Sequence, residues 1–229
     1  MTAKYALKRS LPVMAGYVVL GAGFGILLES KGYGVLWAFL MSVFIYAGSM
    51  QYVTIDLLAG GASLIASGVM TLMVNARHLF YGISMIDRYK ETVKYKPYLI
   101  FALTDETYSL VCSGEVPEGV DEKKYYFLLS LMNQCYWIIG SIAGSLIGSL
   151  LEFNTAGIDF SMTALFLVVF TDQWRSTKNH ISAVTGVAAS AACLLIFGPE
   201  NFIIPSMAAI TILLTILRKT LEKAEGESP

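Results

Sequence analysis

Apolar residues in this chain neither alternate with the period of a strand nor stripe one face of a helix. They continue unbroken. Uncharged runs occupy Leu11–Leu28, Gly32–Ile55, Leu57–Ala76 (continuing weakly to Ile86), Tyr125–Leu151, His180–Pro199 and Asn201–Leu217. A helix needs about 20 mostly apolar residues to cross the hydrocarbon core, and these runs approach that length. Two further segments are awkward. Phe160–Thr171 is short unless it starts near Asn154 and takes Asp159 along, and Pro97–Cys112 is interrupted by Thr104-Asp105-Glu106-Thr107. The pattern predicts an all-α, polytopic integral membrane protein.

Composition agrees. The 229 residues are 55% hydrophobic and 14% charged, with mean hydropathy +0.62, whereas an ordinary soluble domain is about a quarter charged. Disorder, which needs low hydrophobicity and high net charge, is excluded on the same ground. The net charge of −1 leaves no polyanion-binding signature, so nucleic acid is not expected as a partner. Cys112, Cys135 and Cys193 show no metal or redox spacing and read as small apolar residues.

Basic residues orient the spans. Seven crossings are expected, with the N-terminus outside and Pro97–Cys112 entering and leaving on one side. That arrangement puts Lys31, Arg88, Lys90, Lys94, Lys96, Lys123, Lys124, Arg175, Lys178, Arg218, Lys219 and Lys223 inside, and leaves only Lys4, Lys8 and Arg9 outside. Eight crossings from an inside N-terminus would instead strand Lys31, Arg88, Lys90, Lys94 and Lys96 outside. Lys8-Arg9 before an apolar run suggests a signal peptide, but the run is long and has no convincing cleavage site.

An internal match accompanies the spans. Gly21–Glu29 (GAGFGILLE) aligns with Gly144–Glu152 (GSLIGSLLE), and the same offset pairs Gly34 with Gly157 and Gly48–Gln51 with Thr171–Trp174. With seven spans the two copies start on opposite sides, which makes an inverted-topology repeat, an architecture common in secondary transporters. The organisation expected is a single transmembrane domain over 1–229: repeat A at 11–86, a connector at 87–124 with a re-entrant or broken 97–112, repeat B at 125–217 and a polar tail at 218–229. The bland alternative is that glycine- and leucine-rich helices resemble one another by composition.

Ionisable groups within a membrane cost about 2.5–3.5 kcal/mol on insertion scales and so mark function by default. Here they form two clusters, Asn75-Ala-Arg77-His78 and Thr104-Asp105-Glu106-Thr107. At 1.5 Å per residue Arg77 lies ~13 Å from the end of its span at Ile86, and Asp105 lies ~12 Å from Pro97. The clusters can therefore meet at one depth. The bland readings are an Arg77 that snorkels to the headgroups and a Pro97–Cys112 helix lying at the interface. Gly48-Ser49-Met50-Gln51, in mid-span, suits either an unwound helix that offers backbone groups to a ligand or a close helix contact with Gln51 bonded across it. Gly140, Gly144 and Gly148 read as a packing face. Asp172, Gln173 and His180 read as interface or loop residues.

Enzyme chemistry finds no foothold. Gly21-Ala-Gly23-Phe-Gly25 has the wrong spacing for a dinucleotide loop and follows no strand, and there is no P-loop lysine motif. His78 and His180 stand far apart with no His-Glu-x-x-His, so no metal site is expected. Neither catalysis nor a cofactor is expected.

Tyr46-Ala-Gly-Ser-Met-Gln51, Asn75-Ala-Arg-His-Leu-Phe-Tyr-Gly82 and Leu103-Thr-Asp-Glu-Thr-Tyr108 stand in this order along the chain. In these motifs the chain resembles the large subunit of the bacterial branched-chain amino acid exporters, the AzlC-type azaleucine-resistance family. The likeness runs from Pro12 to the last span, and its carboxyl-terminal third is matched mainly by length and hydropathy. The resemblance implies multi-pass residence in the bacterial inner membrane. It implies export of leucine, isoleucine and valine, and sometimes methionine, driven by the proton-motive force. It also implies a separately encoded AzlD-type partner of about four spans.

The residues suit such a substrate, a zwitterion with an apolar side chain. Its carboxylate suits Arg77, Asn75 or a free helix N-terminus, and its ammonium suits Asp105 or Glu106. Neighbouring, partly buried carboxylates are also the groups to carry a coupling proton, which again selects Asp105 and Glu106. Ser49, Gln51, Tyr46 and Thr104 complete the expected substrate-binding set. Two rival readings use the same residues. One is a passive pore for a small solute or ion, and the other is a non-transporting scaffold subunit whose glycine faces dock the true transporter.

Overall fold

The computed structural model describes residues 1–75, 77–112, 116–150 and 179–226, with scattered positions between 160 and 175. Regular structure among the described residues is helical throughout. The chain divides into two compact units, Met1–Met162 and Thr163–Pro229.

The first unit is built on two long helices, α1 (Thr2–Ser30) and α8 (Glu122–Leu150). Glycine makes their contact. A β-carbon on Gly140 would lie 2.7 Å from the Val18 carbonyl oxygen, and one on Gly21 would lie 3.0 Å from that of Trp137. On Gly25 or Gly144 it would overlap the carbonyl oxygens of Ser141 and Ala22. Backbones approach this closely only where side chains are missing.

The contact runs in one direction. Tyr5 meets Tyr125, Ser10 meets Tyr136, Tyr17 meets Trp137, Ala22 meets Gly144 and Glu29 meets Ser145. Helices α1 and α8 are therefore parallel. In α1 and α8 the matched glycines start on the same side, unlike the opposed copies that the internal match suggests. They are two complementary packing faces pressed together. Glu152, Gly157, Asp172 and Gln173, on which the rest of the internal match depends, lie outside the described residues.

A correction concerns Gly32–Ile55, expected as one span. The segment forms α2 (Val35–Phe44) and α3 (Gly48–Ala59), with a break at Ile45–Ala47 where Tyr46 takes φ +42°. Nine residues of straight helix separate their ends by ~13.5 Å. Yet Gln51 Nε2 donates to Ser42 Oγ at 3.3 Å, so the chain has reversed. Helix α2 descends beside α8 until the Val43 carbonyl accepts from Gln134 Nε2. Helix α3 climbs back, with the Tyr52 hydroxyl on the Leu20 carbonyl and Ile55 in one apolar cluster with Phe24, Leu27 and Leu28.

Next come α4 (Leu64–Asn75), which packs on α3, and α5 (Arg77–Met85). Met85 and Tyr89 join Ala6, Tyr125 and Tyr126 in a second cluster at the amino-terminal end of α1 and α8. A second reversal follows in α6 (Lys96–Phe101) and α7 (Asp105–Cys112). Leu99 and Val111 both belong to this end cluster, and the Val111 carbonyl accepts from Arg88 at 2.7 Å. Between them Ala102 reaches the other cluster, beside Tyr17 and Tyr46. Two helical hairpins thus enter from opposite ends of the α1–α8 pair, and their tips meet where the Tyr46 and Phe101 rings lie 6.3 Å apart.

These reversals redistribute charge. Lys4, Lys8, Arg9, Arg88, Lys90, Lys94, Lys96, Lys123 and Lys124 collect at the end where α1 and α8 begin, whereas Lys31 sits at the other. Lys31 is opposite Lys4, Lys8 and Arg9 as expected, whereas Arg88, Lys90, Lys94, Lys96, Lys123 and Lys124 share their end, because Gly32–Ile55 returns to its own side.

In the second unit α9 (Ile181–Asn201) packs against α10 (Ile203–Gly226). Gly198, at φ +73°, kinks α9 just before Pro199. The His180 ring stacks on Trp174 at 3.9 Å. The 218–229 stretch read as a polar tail remains helical to Gly226, as its Leu, Glu, Lys and Ala residues favour. Among the described residues three helices are long and apolar enough to cross a membrane: Thr2–Ser30, Glu122–Leu150 and Ile181–Gly198.

Candidate functional site

The site lies where the two hairpin tips meet α5. Arg77, first residue of α5, holds both hairpins: one guanidinium nitrogen pairs with Asp105 Oδ2 of α7, and the other donates to Ser49 Oγ of α3 at 2.7 Å. The two side chains keep 30% and 22% of their exposure, so the pair is largely shielded. In such surroundings each charge needs the other, because an unpaired buried ion costs several kcal/mol.

Local sequence explains each position. Thr104 caps α7, its Oγ1 accepting from the Thr107 backbone N–H at 3.3 Å. A threonine cap followed by two acids in the first turn is a favoured helix start, since the carboxylates face the positive end of the helix dipole. On the opposing hairpin α3 starts at Gly48 without a side-chain cap, so its first turn presents backbone N–H groups. Gly48 itself is needed there, for a β-carbon would press to 3.1 Å from the Trp137 ring.

Glu106 belongs to a second, deeper network. The Tyr17 hydroxyl of α1 donates to Glu106 Oε2 at 2.6 Å and lies 2.7 Å from Thr104 Oγ1. Thr104 Oγ1 is 3.1 Å from Thr107 Oγ1, which accepts from Asn133 Nδ2 of α8 at 3.0 Å. Thr107 and Asn133 are fully buried. A continuous chain of hydrogen bonds therefore links the acidic tip to both long helices.

Of the expected residues, Ser49, Arg77 and Asp105 are brought into direct contact, and Thr104 and Glu106 are joined through Tyr17. Tyr46 is buried at the α2–α3 break. Its left-handed backbone costs about 1–2 kcal/mol for a residue with a β-carbon. Gln51 is engaged elsewhere: Trp137 Nε1 donates to its Oε1 at 2.9 Å while its Nε2 holds Ser42. It braces the first hairpin against α8. Asn75 stands beside Arg77, with its backbone carbonyl 3.2 Å from His78 Nδ1.

Sequence reasoning overlooked Tyr17, Asn133 and Trp137. Each is a polar-tipped side chain inside an uncharged run, which is itself a signal because hydrocarbon offers such groups no partner.

The AzlC protein family model matches residues 12–151. The branched-chain amino acid transport protein AzlC of Bacillus subtilis is 47% identical over 220 residues, covering 96% of this chain and 87% of that protein. An uncharacterized membrane protein of Helicobacter pylori is 43% identical over 219 residues, 96% of each chain. The inner membrane protein YgaZ of Escherichia coli is 27% identical over 195 residues, 82% of this chain and 80% of its own length. No solved structure matches the chain significantly.

Proposed function

The chain belongs to the AzlC family, and from that premise we propose that it is the large subunit of a secondary exporter of branched-chain amino acids in the bacterial inner membrane. The observation that carries this reading is the bridge made by Arg77 between Ser49 and Asp105, at the meeting point of two opposed hairpins. Broken helices whose free N-termini point into a buried polar site are how secondary transporters hold anionic substrate groups near the midplane.

The chemistry proceeds from there. Arg77, Asn75 and the open first turn of α3 receive the substrate carboxylate. Asp105 and Glu106 receive the ammonium. With Arg77, Asp105 and Glu106 all ionised the cluster carries one excess negative charge, which either a substrate ammonium or a proton neutralises. That exchange is the basis of coupling to the proton-motive force. Tyr17, bonded to Glu106 and Thr104, places the second carboxylate. Alternating access arises when one hairpin parts from Arg77 while the other stays bound.

The charge distribution supplies the orientation. Basic residues mark the cytoplasmic side, so the end holding Lys4, Lys94 and Lys124 faces the cytoplasm, with the N-terminus inside. A separate AzlD-type subunit of about four spans completes the exporter.

The test is leucine efflux from cells loaded through a leucine-containing dipeptide. It compares this chain alone, the chain with its small partner, and both with Asp105→Asn. Faster, uncoupler-sensitive efflux that needs the partner and disappears in the variant supports the proposal. Equal efflux in every combination, with expression verified, refutes leucine export.

A further inference from the structure

A cavity of about 230 Å³ opens between α4–α5 and the α6 arm of the second hairpin. Its inner end is polar, formed by Asn75 and His78 next to Arg77. Its walls are apolar, with Gly82, Met85, Ile100 and Leu103 among them, and its outer end lies at Tyr89 and Lys96. Asn75 Oδ1 is buried and finds no hydrogen-bond partner among the described residues. A polar atom in that position is costly unless something else bonds it.

Size narrows what that is. A cavity of about 150 Å³ holds benzene, and drug-sized ligands need about 300–1,000 Å³. The volume here suits a small molecule such as leucine and is too small for a peptide. Apolar walls that end in an unsatisfied amide and an imidazole, with Arg77 two residues along the chain from Asn75, match an aliphatic amino acid, which is apolar at one end and zwitterionic at the other.

We infer that this cavity is the seat for the aliphatic side chain of the substrate, loaded from the end where α1 and α8 begin. The Asn75 amide bonds the substrate backbone at its inner end. The inference deepens the proposed exporter reading and rests on it. The Lys96 mouth shares the cation-rich end, so the seat opens toward the cytoplasm, where an exporter must collect its cargo.

Gly82 lines the seat, and a β-carbon built there meets nothing within 4 Å, so the position has room for one. The test compares Gly82→Val with Gly68→Val, a position whose β-carbon also meets nothing within 4 Å and which does not line the cavity. Efflux of leucine, valine and alanine is measured for each at matched membrane levels. One methylene in an apolar pocket discriminates by about 10–200-fold. Gly82→Val should therefore lower leucine efflux about tenfold or more relative to alanine, while Gly68→Val keeps the wild-type ratio. Equal effects on all three amino acids, or none, overturn the seat even when wild-type leucine efflux upholds the exporter.

A second measurement does not depend on transport. Gly82→Cys, in a chain with Cys112, Cys135 and Cys193 replaced by alanine, should react with a membrane-impermeant thiol reagent in inside-out vesicles and not in intact cells. Leucine should slow that reaction and glutamate should not. Labelling from the outer side, or no protection by leucine, overturns the proposal.

Discussion

Removing Arg77 or Asp105 alone should harm the protein more than removing both. Each single change leaves one ion in a shielded site with its partner gone. Breaking a buried pair in this way costs about 3–5 kcal/mol. The side chains retain 30% and 22% of their exposure, which discounts the figure to about 2–4 kcal/mol. For a chain of this size 1 kcal/mol shifts the melting midpoint by about 2–4 °C, so Arg77→Gln and Asp105→Asn should each lower it by about 4–16 °C. The double variant has neither charge to desolvate and should regain at least about half of the larger loss, a coupling within the range for contacting residues. The assay is the fraction of detergent-solubilised protein still monodisperse after graded heating. Transport should be lost in all three variants, since the proposed substrate site needs both groups. Two single losses that simply add in the double variant would refute the pairing and, with it, the joining of the hairpins through Arg77.

Two other outcomes follow from the packing. Gly25→Leu or Gly144→Leu should abolish accumulation of folded protein, because a β-carbon at either site already overlaps a facing carbonyl. Gly16→Ala, which meets nothing within 4 Å, should be neutral or stabilising by about 0.5–1 kcal/mol, and immunoblotting of membrane fractions separates the two cases. Tyr17→Phe keeps the ring on Trp137 and deletes the donor to Glu106. It should slow efflux about tenfold and lower the melting midpoint by about 3–12 °C, since a hydrogen bond to a charged group is worth about 1.5–3 kcal/mol. Unchanged efflux would mean that Glu106 does not depend on Tyr17.

Much of the site was legible before any fold was known, for one reason. Hydrocarbon penalises Arg77, Asp105 and Glu106 so heavily that their presence within apolar runs demands a purpose and a partner. Depth arithmetic then placed Arg77 and Asp105 at one level, and they pair. The family was legible in the three motifs around Tyr46, Asn75 and Thr104. Glycines 140, 144 and 148 were legible as a packing face, though not the helix they face.

Direction is what the linear chain could not encode. Hydropathy registers that Gly32–Ile55 belongs in an apolar environment, and it reads the same whether those residues cross or turn back. The reversal depends on Ser42 meeting Gln51 and on Trp137 reaching Gln51 from a helix 86 residues away. Only the packed structure brings these together. That one turn changes the sense of the helices after it in the first unit, which is why the sequence alone sets Lys4, Lys8 and Arg9 opposite Arg88, Lys94 and Lys124 and makes the two glycine segments inverted copies. Composition and local cost determined the environment, the family and the charged residues. Tertiary contact decided which helices run parallel, which fold back, and that Tyr17 and Asn133 bond to the tip that carries Asp105 and Glu106.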